Sequence, residues 1–113
     1  IARFKVELIG FGNLYGRLVY AKIASGSAEL AGISSLINSA ASTIGLRTET
    51  RTFLPHITVA RLIKTSRECA ENFVRENRGI MLGSFVCSKI YIMSSDNIGG
   101  RYIHNELHAK ELD

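Results

Sequence analysis

Hydrophobic and polar positions alternate with a period of two at the start of the chain. Phe4, Val6 and Leu8 oppose Lys5 and Glu7, so RFKVELIGFG predicts a half-buried strand stopped by Gly10-Phe11-Gly12. GRLVYAKIA is more continuously apolar and predicts a second strand, central in a sheet. From Ser27 the period lengthens: Leu30, Ile33, Ile37, Ala40 and Ile44 fall on one face of a helix, with Ser27 as its N-cap and Gly45 at its C-terminal end. TFLPHITVARLI, residues 52–63, reads as a buried strand entered through a polar, extended segment. SRECAENFVRENRG predicts a second, shorter helix capped by Ser66, with Ala70, Phe73 and Val74 inward. SFVCSKIYIMS returns to strand, SDNIGG is a turn, and RYIHNELHAKEL is a last strand whose end could also be helical. Strands interleaved with helices give an α/β or α+β sheet, with the helices packed on one side and His56 on the opposite, concave face.

With 113 residues, 46% of them hydrophobic and 21% charged, the chain is long enough for one hydrophobic core and too short for two, so residues 1–113 are read as a single domain. Fourteen Lys and Arg against ten Asp and Glu leave a mild positive excess, which suits an anionic ligand without requiring one. Cys69 and Cys87 have no metal-ligand spacing and form no disulfide framework; they read as plain buried thiols of an intracellular protein, cytoplasmic or nuclear. No stretch approaches the length of a membrane span, and the first residues have no signal-peptide architecture. Because those residues already form a strand and no Met precedes them, the chain is expected to begin within a longer domain.

Residues 52–63 raise a chemical question, because a histidine and a threonine replace the apolar residues that would best stabilise a strand. Strict alternation puts His56, Thr58, Ala60 and Leu62 on one face and Ile57, Val59, Arg61 and Ile63 on the other, with same-face neighbours about 7 Å apart. An imidazole takes or gives a proton near neutral pH, and a neighbouring hydroxyl can donate to a phosphate oxygen. The pair makes half of a phosphodiesterase site, with Pro55 fixing the backbone before the histidine. Taken alone, H-x-T also fits a hydrogen-bonded edge histidine beside a β-former. Arg47, Arg51 and Arg61 flank the motif and could attract a phosphate, but alternation turns Arg61 away from His56.

Other histidines and glycines have plainer readings. His104-Asn-Glu-Leu-His108 lacks the acid that a zinc-protease helix places after its first histidine, and on a strand the two imidazoles would share a face about 13 Å apart, too far to hold one ion. No metal and no cofactor is implied. The glycines of GFGNLYG complete no phosphate cradle and read as turn residues.

Phe53-Leu-Pro-His-Ile-Thr-Val-Ala-Arg61, after a helix and a polar extended segment, resembles the C-terminal H-x-[ST]-x motif of the two-histidine phosphoesterase superfamily. FKVELIGFGNL, GRLVYAKIA and IYIMSSDNIGGRYIHNE are similar to the strand and glycine-rich turn, the next strand and the closing hairpin of that family. The order is most similar to the A-kinase-anchoring-protein central domain, and more distantly to the RNA 2′,3′-cyclic phosphodiesterases once called 2′-5′ RNA ligases. The resemblance covers nearly the whole chain, but only the C-terminal half of the family's two-lobed domain. It implies an α+β lobe, an antiparallel-rich sheet with two helices packed on it, in which His56 and Thr58 are site residues and Tyr102 is an aromatic near the nucleotide.

In the complete family site each lobe contributes one H-x-[ST] strand, one histidine acting as base and the other as acid. This chain has one motif, because His104 and His108 are not followed by a hydroxyl residue at the right position. The resemblance therefore implies a metal-independent phosphodiesterase of 2′-5′-linked or 2′,3′-cyclic nucleotides or RNA ends, whose partner is an N-terminal lobe or a second copy of the chain. Two other readings stay open: a catalytically inactive nucleotide-binding or scaffold module, and a purely structural piece of an assembly. Tyr102 also fits a plain strand residue packing one side of the sheet.

Overall fold

The computed structural model describes residues 1–14, 16–48 and 52–113. The order of elements is β1 (Phe4–Leu14), β2 (Leu18–Ser25), α1 (Ser27–Thr43), β3 (His56–Arg61), α2 (Arg67–Glu76), β4 (Met81–Cys87), β5 (Lys89–Ile98) and β6 (Arg101–Glu111). The fold is an α+β lobe with an antiparallel, curled sheet and two helices. Four strands are ordered β3-β2-β1-β4, and β5 and β6 form a separate two-stranded hairpin. The chain divides into two compact units, residues 6–85 and residues 1–5 with 86–113.

In the larger unit the most apolar strand is central, as its composition predicts. β2 pairs antiparallel with β1 on one side and β3 on the other, and its Val19 and Ala21 are buried. Val6 of β1 is also fully buried, which contributes about 2 kcal/mol for such a side chain. The odd-numbered face of β2 carries the core: Phe11 pairs with Ala21, Ala60 pairs with Val19, and α2 brings Ala70, which is buried, and Phe73, whose ring centroid lies 5.0 Å from that of Phe11. Ser66 caps α2 as expected, its Oγ accepting from the Cys69 amide at 3.1 Å, worth about 1 kcal/mol. α1 ends as its sequence predicts too. Gly45 has φ +79°, its amide donates to Ser42, and the Leu46 amide donates to Ala41, the paired bonds of a Schellman motif.

Several expectations are corrected. β1 does not stop at its glycines but runs through them to Leu14. Its pairing with β2 is irregular between Leu8 and Phe11, and Gly10 sits at φ +71° where a Cβ would fall 2.5 Å from the Arg78 carbonyl oxygen. Glycine here serves a bulge and a close approach rather than a turn. The N-cap of α1 is Gly26, at φ +94°, because the chain passes from β2 into the helix through a left-handed residue that Ser27 would adopt only with strain. The apolar stripe of α1 is not buried as a whole: Ile33 is, but Ile37 and Ile44 are exposed. Phe73 of α2 is also exposed despite its ring contact, and Val74 is half-buried. Cys69 is an exposed free thiol and Cys87 a half-buried one.

The smaller unit is built on the β5–β6 hairpin. SDNIGG is mostly strand; the turn is only Gly99-Gly100, both at positive φ, between the paired residues Ile98 and Arg101. Two successive left-handed residues are what a tight two-residue hairpin demands. The strand SFVCSKIYIMS is broken at Ser88 into β4 and β5, and β6 is strand to Glu111 with no helical end. Ser88 accepts from the Leu112 amide at 2.8 Å, Leu112 is buried, and the Ile1 ammonium lies 3.3 Å from Asp113. No helix among the described residues is long and apolar enough to cross a membrane.

Candidate functional site

Among the described residues β3 is an edge strand bonded only to β2, and all six of its residues are exposed, so the buried strand expected for residues 52–63 is corrected. Its open edge and short length explain the exposure: with no strand of the described residues beyond it, even Ile57 and Val59 keep close to half their surface in solvent. His56, the first residue of β3, is accordingly accessible and not covered by α1.

The register decides which side chains share its face. Lys22 pairs with His56, Ala21 with Ile57, Tyr20 with Thr58, Val19 with Ala60, and Leu18 with Arg61. Between Val19 and Tyr20 the β3 side spends one extra residue, Val59. On β2 the even residues Leu18, Tyr20 and Lys22 face away from the buried Val19 and Ala21. Directly opposed residues share a face, so His56, Thr58 and Arg61 lie on one side with Lys22 and Tyr20, while Ile57 and Ala60 turn towards the core. Strict alternation therefore fails at Val59. Arg61, which the sequence pattern assigns to the opposite face, joins the His56 face. The Leu62 amide donates to the Arg17 carbonyl at 2.7 Å and continues the pairing past this point.

His56 is held by two neighbours. Its Nδ1 is 2.7 Å from the Leu54 carbonyl oxygen. A carbonyl only accepts, so Nδ1 carries the hydrogen and Nε2 of the neutral ring keeps its lone pair. Pro55 lies between the two bonded residues and restrains Leu54 to an extended backbone. The second neighbour is Tyr20, whose ring stands edge-on to the imidazole, centroids 5.5 Å apart and planes at 70°. Neither Lys22 nor Arg61 has an ion pair among the described residues, which leaves one cation opposite the imidazole and the other at the far end of the strip, with the Thr58 hydroxyl between. Such a strip can move a proton through Nε2 and hold anionic oxygens through Thr58 and Arg61.

Sequence reasoning puts His56 and Thr58 on one face, as the register does, but assigns Arg61 to the other face and does not connect Tyr20 with them. No local signal marks the Val59 bulge, and Tyr20 is joined to the motif only by strand pairing. Arg47 is exposed and outside the strands, and Arg51 lies outside the described residues. Tyr102, in the other unit, is the second residue of β6, pairs with Asn97 and is 67% exposed.

The remaining histidines do not assemble a site. His104 pairs with Ser95, its Nδ1 2.8 Å from the serine Oγ, and His108 pairs with Ile92. Ser95 and Ile92 are an odd number of residues apart, so the register shift at Ile92 and Met93 puts the two imidazoles on opposite faces rather than on one. Among the described residues no group of three or more His, Cys, Asp or Glu is placed to hold a metal ion.

Comparison with known proteins adds two findings. The family model described as LigT-like phosphoesterase matches residues 23–104. A solved structure described as the crystal structure of a phosphoesterase superposes with a TM-score of 0.73 at 20% identity, a likeness of fold. The match covers 98% of this chain and 60% of that one, so the chain spans about three fifths of its length. No match was found among curated proteins.

Proposed function

We propose that this chain, which belongs to the LigT-like phosphoesterase family, is one lobe of a phosphodiesterase acting on 2′-5′-linked or 2′,3′-cyclic nucleotides or RNA ends. The observation that carries this reading is the common face of His56, Thr58 and Arg61, with Nε2 of His56 left free by the bond from Nδ1 to Leu54. Nε2 takes the proton of the attacking water or 2′-hydroxyl as its oxygen bonds to phosphorus. Thr58 and Arg61 hold the non-bridging oxygens as negative charge builds on them. The bond to the leaving oxygen then breaks, and that oxygen takes a proton from a second imidazole. These steps call on side chains alone.

The second imidazole belongs to another H-x-[ST] strand, carried by an N-terminal lobe or by a second copy of this chain, because one imidazole cannot accept one proton and deliver another at the same moment. Tyr102, exposed beside the hairpin turn, offers an aromatic face to a nucleobase. The single H-x-[ST] motif also favours a second reading, a nucleotide-binding or scaffold module that binds the phosphate without turnover.

Hydrolysis of a 2′-5′ oligoadenylate and of a 2′,3′-cyclic nucleotide, measured with solution mass, tests the proposal. The chain as a monomer is expected to bind but not to turn over, and activity is expected to appear with a second H-x-[ST] lobe or in a self-paired state. Robust turnover by a demonstrated monomer would contradict the two-histidine mechanism. Binding without turnover in every assembly would support the module.

A further inference from the structure

We infer that Tyr20 is a positioning residue for His56, and that Gly12 is glycine so that Tyr20 can lie where it does. Three strands meet at this point. Gly12 of β1 pairs with Tyr20 of β2, and Tyr20 pairs with Thr58 of β3, so the tyrosine stands in the middle strand on the face that carries the H-x-T pair. A Cβ built on Gly12 would fall on the outer atoms of the Tyr20 ring, its Cζ, Oη and Cε1. The ring therefore reaches across β1 and occupies the space that any other residue at position 12 would fill. Gly12 itself is buried beneath it and is not at a positive φ, so its role is room and not backbone freedom.

The other neighbour of that ring is the imidazole. His56 is exposed, begins an edge strand, and among the described residues its side chain has one hydrogen bond, from Nδ1 to the Leu54 carbonyl. An exposed side chain with a single tether samples other rotamers, and once Nδ1 leaves the carbonyl the ring is free to carry its hydrogen on Nε2. The edge-on contact with Tyr20 blocks that rotation from the β2 side, while the carbonyl fixes the other end. Together they hold the tautomer whose Nε2 has a lone pair. The Tyr20 hydroxyl makes no hydrogen bond among the described residues, so the ring and not the hydroxyl does the positioning.

The functional meaning of this arrangement rests on the proposed acid–base role of His56; its test does not. Long-range nitrogen–proton NMR correlations of the imidazoles, recorded on the 113-residue chain with His56 assigned by comparison with His56→Ala, report the tautomer directly. Wild type and Tyr20→Phe are expected to show two well-separated ring nitrogens for His56, Nδ1 protonated and Nε2 bare. In Tyr20→Leu the two nitrogen shifts are expected to converge as the ring exchanges between tautomers. Gly12→Ala reaches the same end by displacing the ring without removing it, and it decides the question if Tyr20→Leu fails to give a dispersed spectrum. Unchanged His56 nitrogens in both Tyr20→Leu and Gly12→Ala would overturn the inference, as would convergence in Tyr20→Phe. In an assembly that hydrolyses substrate, Tyr20→Leu is expected to lower kcat about tenfold with KM within about twofold, and Tyr20→Phe to restore it. If His56→Ala leaves hydrolysis unchanged, the acid–base proposal fails while the tautomer result still decides the positioning.

Discussion

The β2–β3 pair and the β5–β6 hairpin use the same device with opposite results. Each is an antiparallel pair, the first carrying one histidine and the second two, and each is interrupted once by an extra residue, Val59 in β3 and Leu107 in β6. In the first, the extra residue brings Arg61 round to the face of His56 and Thr58 and gathers an imidazole, a hydroxyl and a guanidinium on one side. In the second, it sends His104 and His108 to opposite faces and disperses two groups that regular alternation would align. Residue spacing along a strand thus fixes chemistry only when the register of its partner is known. The two pairs also differ in what surrounds the histidine. His56 is braced by a carbonyl and an aromatic ring, whereas His104 has one exposed serine hydroxyl.

The largest expected effect breaks the gathered side. In a hydrolysing assembly, His56→Ala is expected to lower turnover by roughly 10²-fold or more, with a melting temperature close to wild type because an exposed strand end packs little. Thr58→Ala should lose less. A melting temperature that falls in step with activity would assign His56 a structural role.

Arg61 gives the next effect. Hydrogen bonds to a charged group are worth about 1.5–3 kcal/mol, so Arg61→Ala is expected to weaken binding of adenosine 2′-phosphate about tenfold or more, read by titration calorimetry. Deleting Val59 sharpens the point. It makes the pairing regular while leaving Arg61 opposite Leu18, and affinity is expected to stay within about threefold of wild type. A regular β3 in the native chain would instead make the same deletion carry Arg61 from one face to the other and change affinity by more than threefold.

On the dispersed side the effects are smaller. Gly100→Ala forces a side chain into a left-handed position at φ +84° and is expected to cost about 1 kcal/mol in denaturant unfolding, with phosphate affinity unaltered. The smallest change belongs to His104→Ala and His108→Ala. Each is expected to stay within about 0.5 kcal/mol in stability, as for exposed surface substitutions, and to leave phosphate affinity unchanged.

What the sequence makes legible here is local chemistry. The Ser66 cap, the Gly45 end of α1, the central placement of β2 and the common face of His56 and Thr58 each depend on a few neighbouring residues, and each is observed. What it conceals depends on a second strand. Gly10 and Gly12 carry turn composition, yet they lie inside β1 because Arg78 and Tyr20 press against them from elsewhere in the unit. Arg61 is assigned to the wrong face and Tyr20 escapes notice for the same reason, since pairing with β2 and the Val59 bulge place them. The exposed Ile37 and Ile44 of α1 show the complementary limit, an apolar stripe whose spacing fits a helix without showing how much of it is covered.

The central claim is that one face of β2 and β3 handles the phosphate. A titration of the 113-residue chain with adenosine 2′-phosphate, followed by side-chain NMR signals, tests it most directly. The account predicts that the His56 imidazole, the Thr58 methyl, the Arg61 guanidinium and the Tyr20 ring signals move together along one binding curve, while the methyls of Ile57 and Ala60 and the imidazoles of His104 and His108 stay in place. A curve carried by Ile57 and Ala60 or by the hairpin histidines, with His56 and Arg61 still, would contradict it.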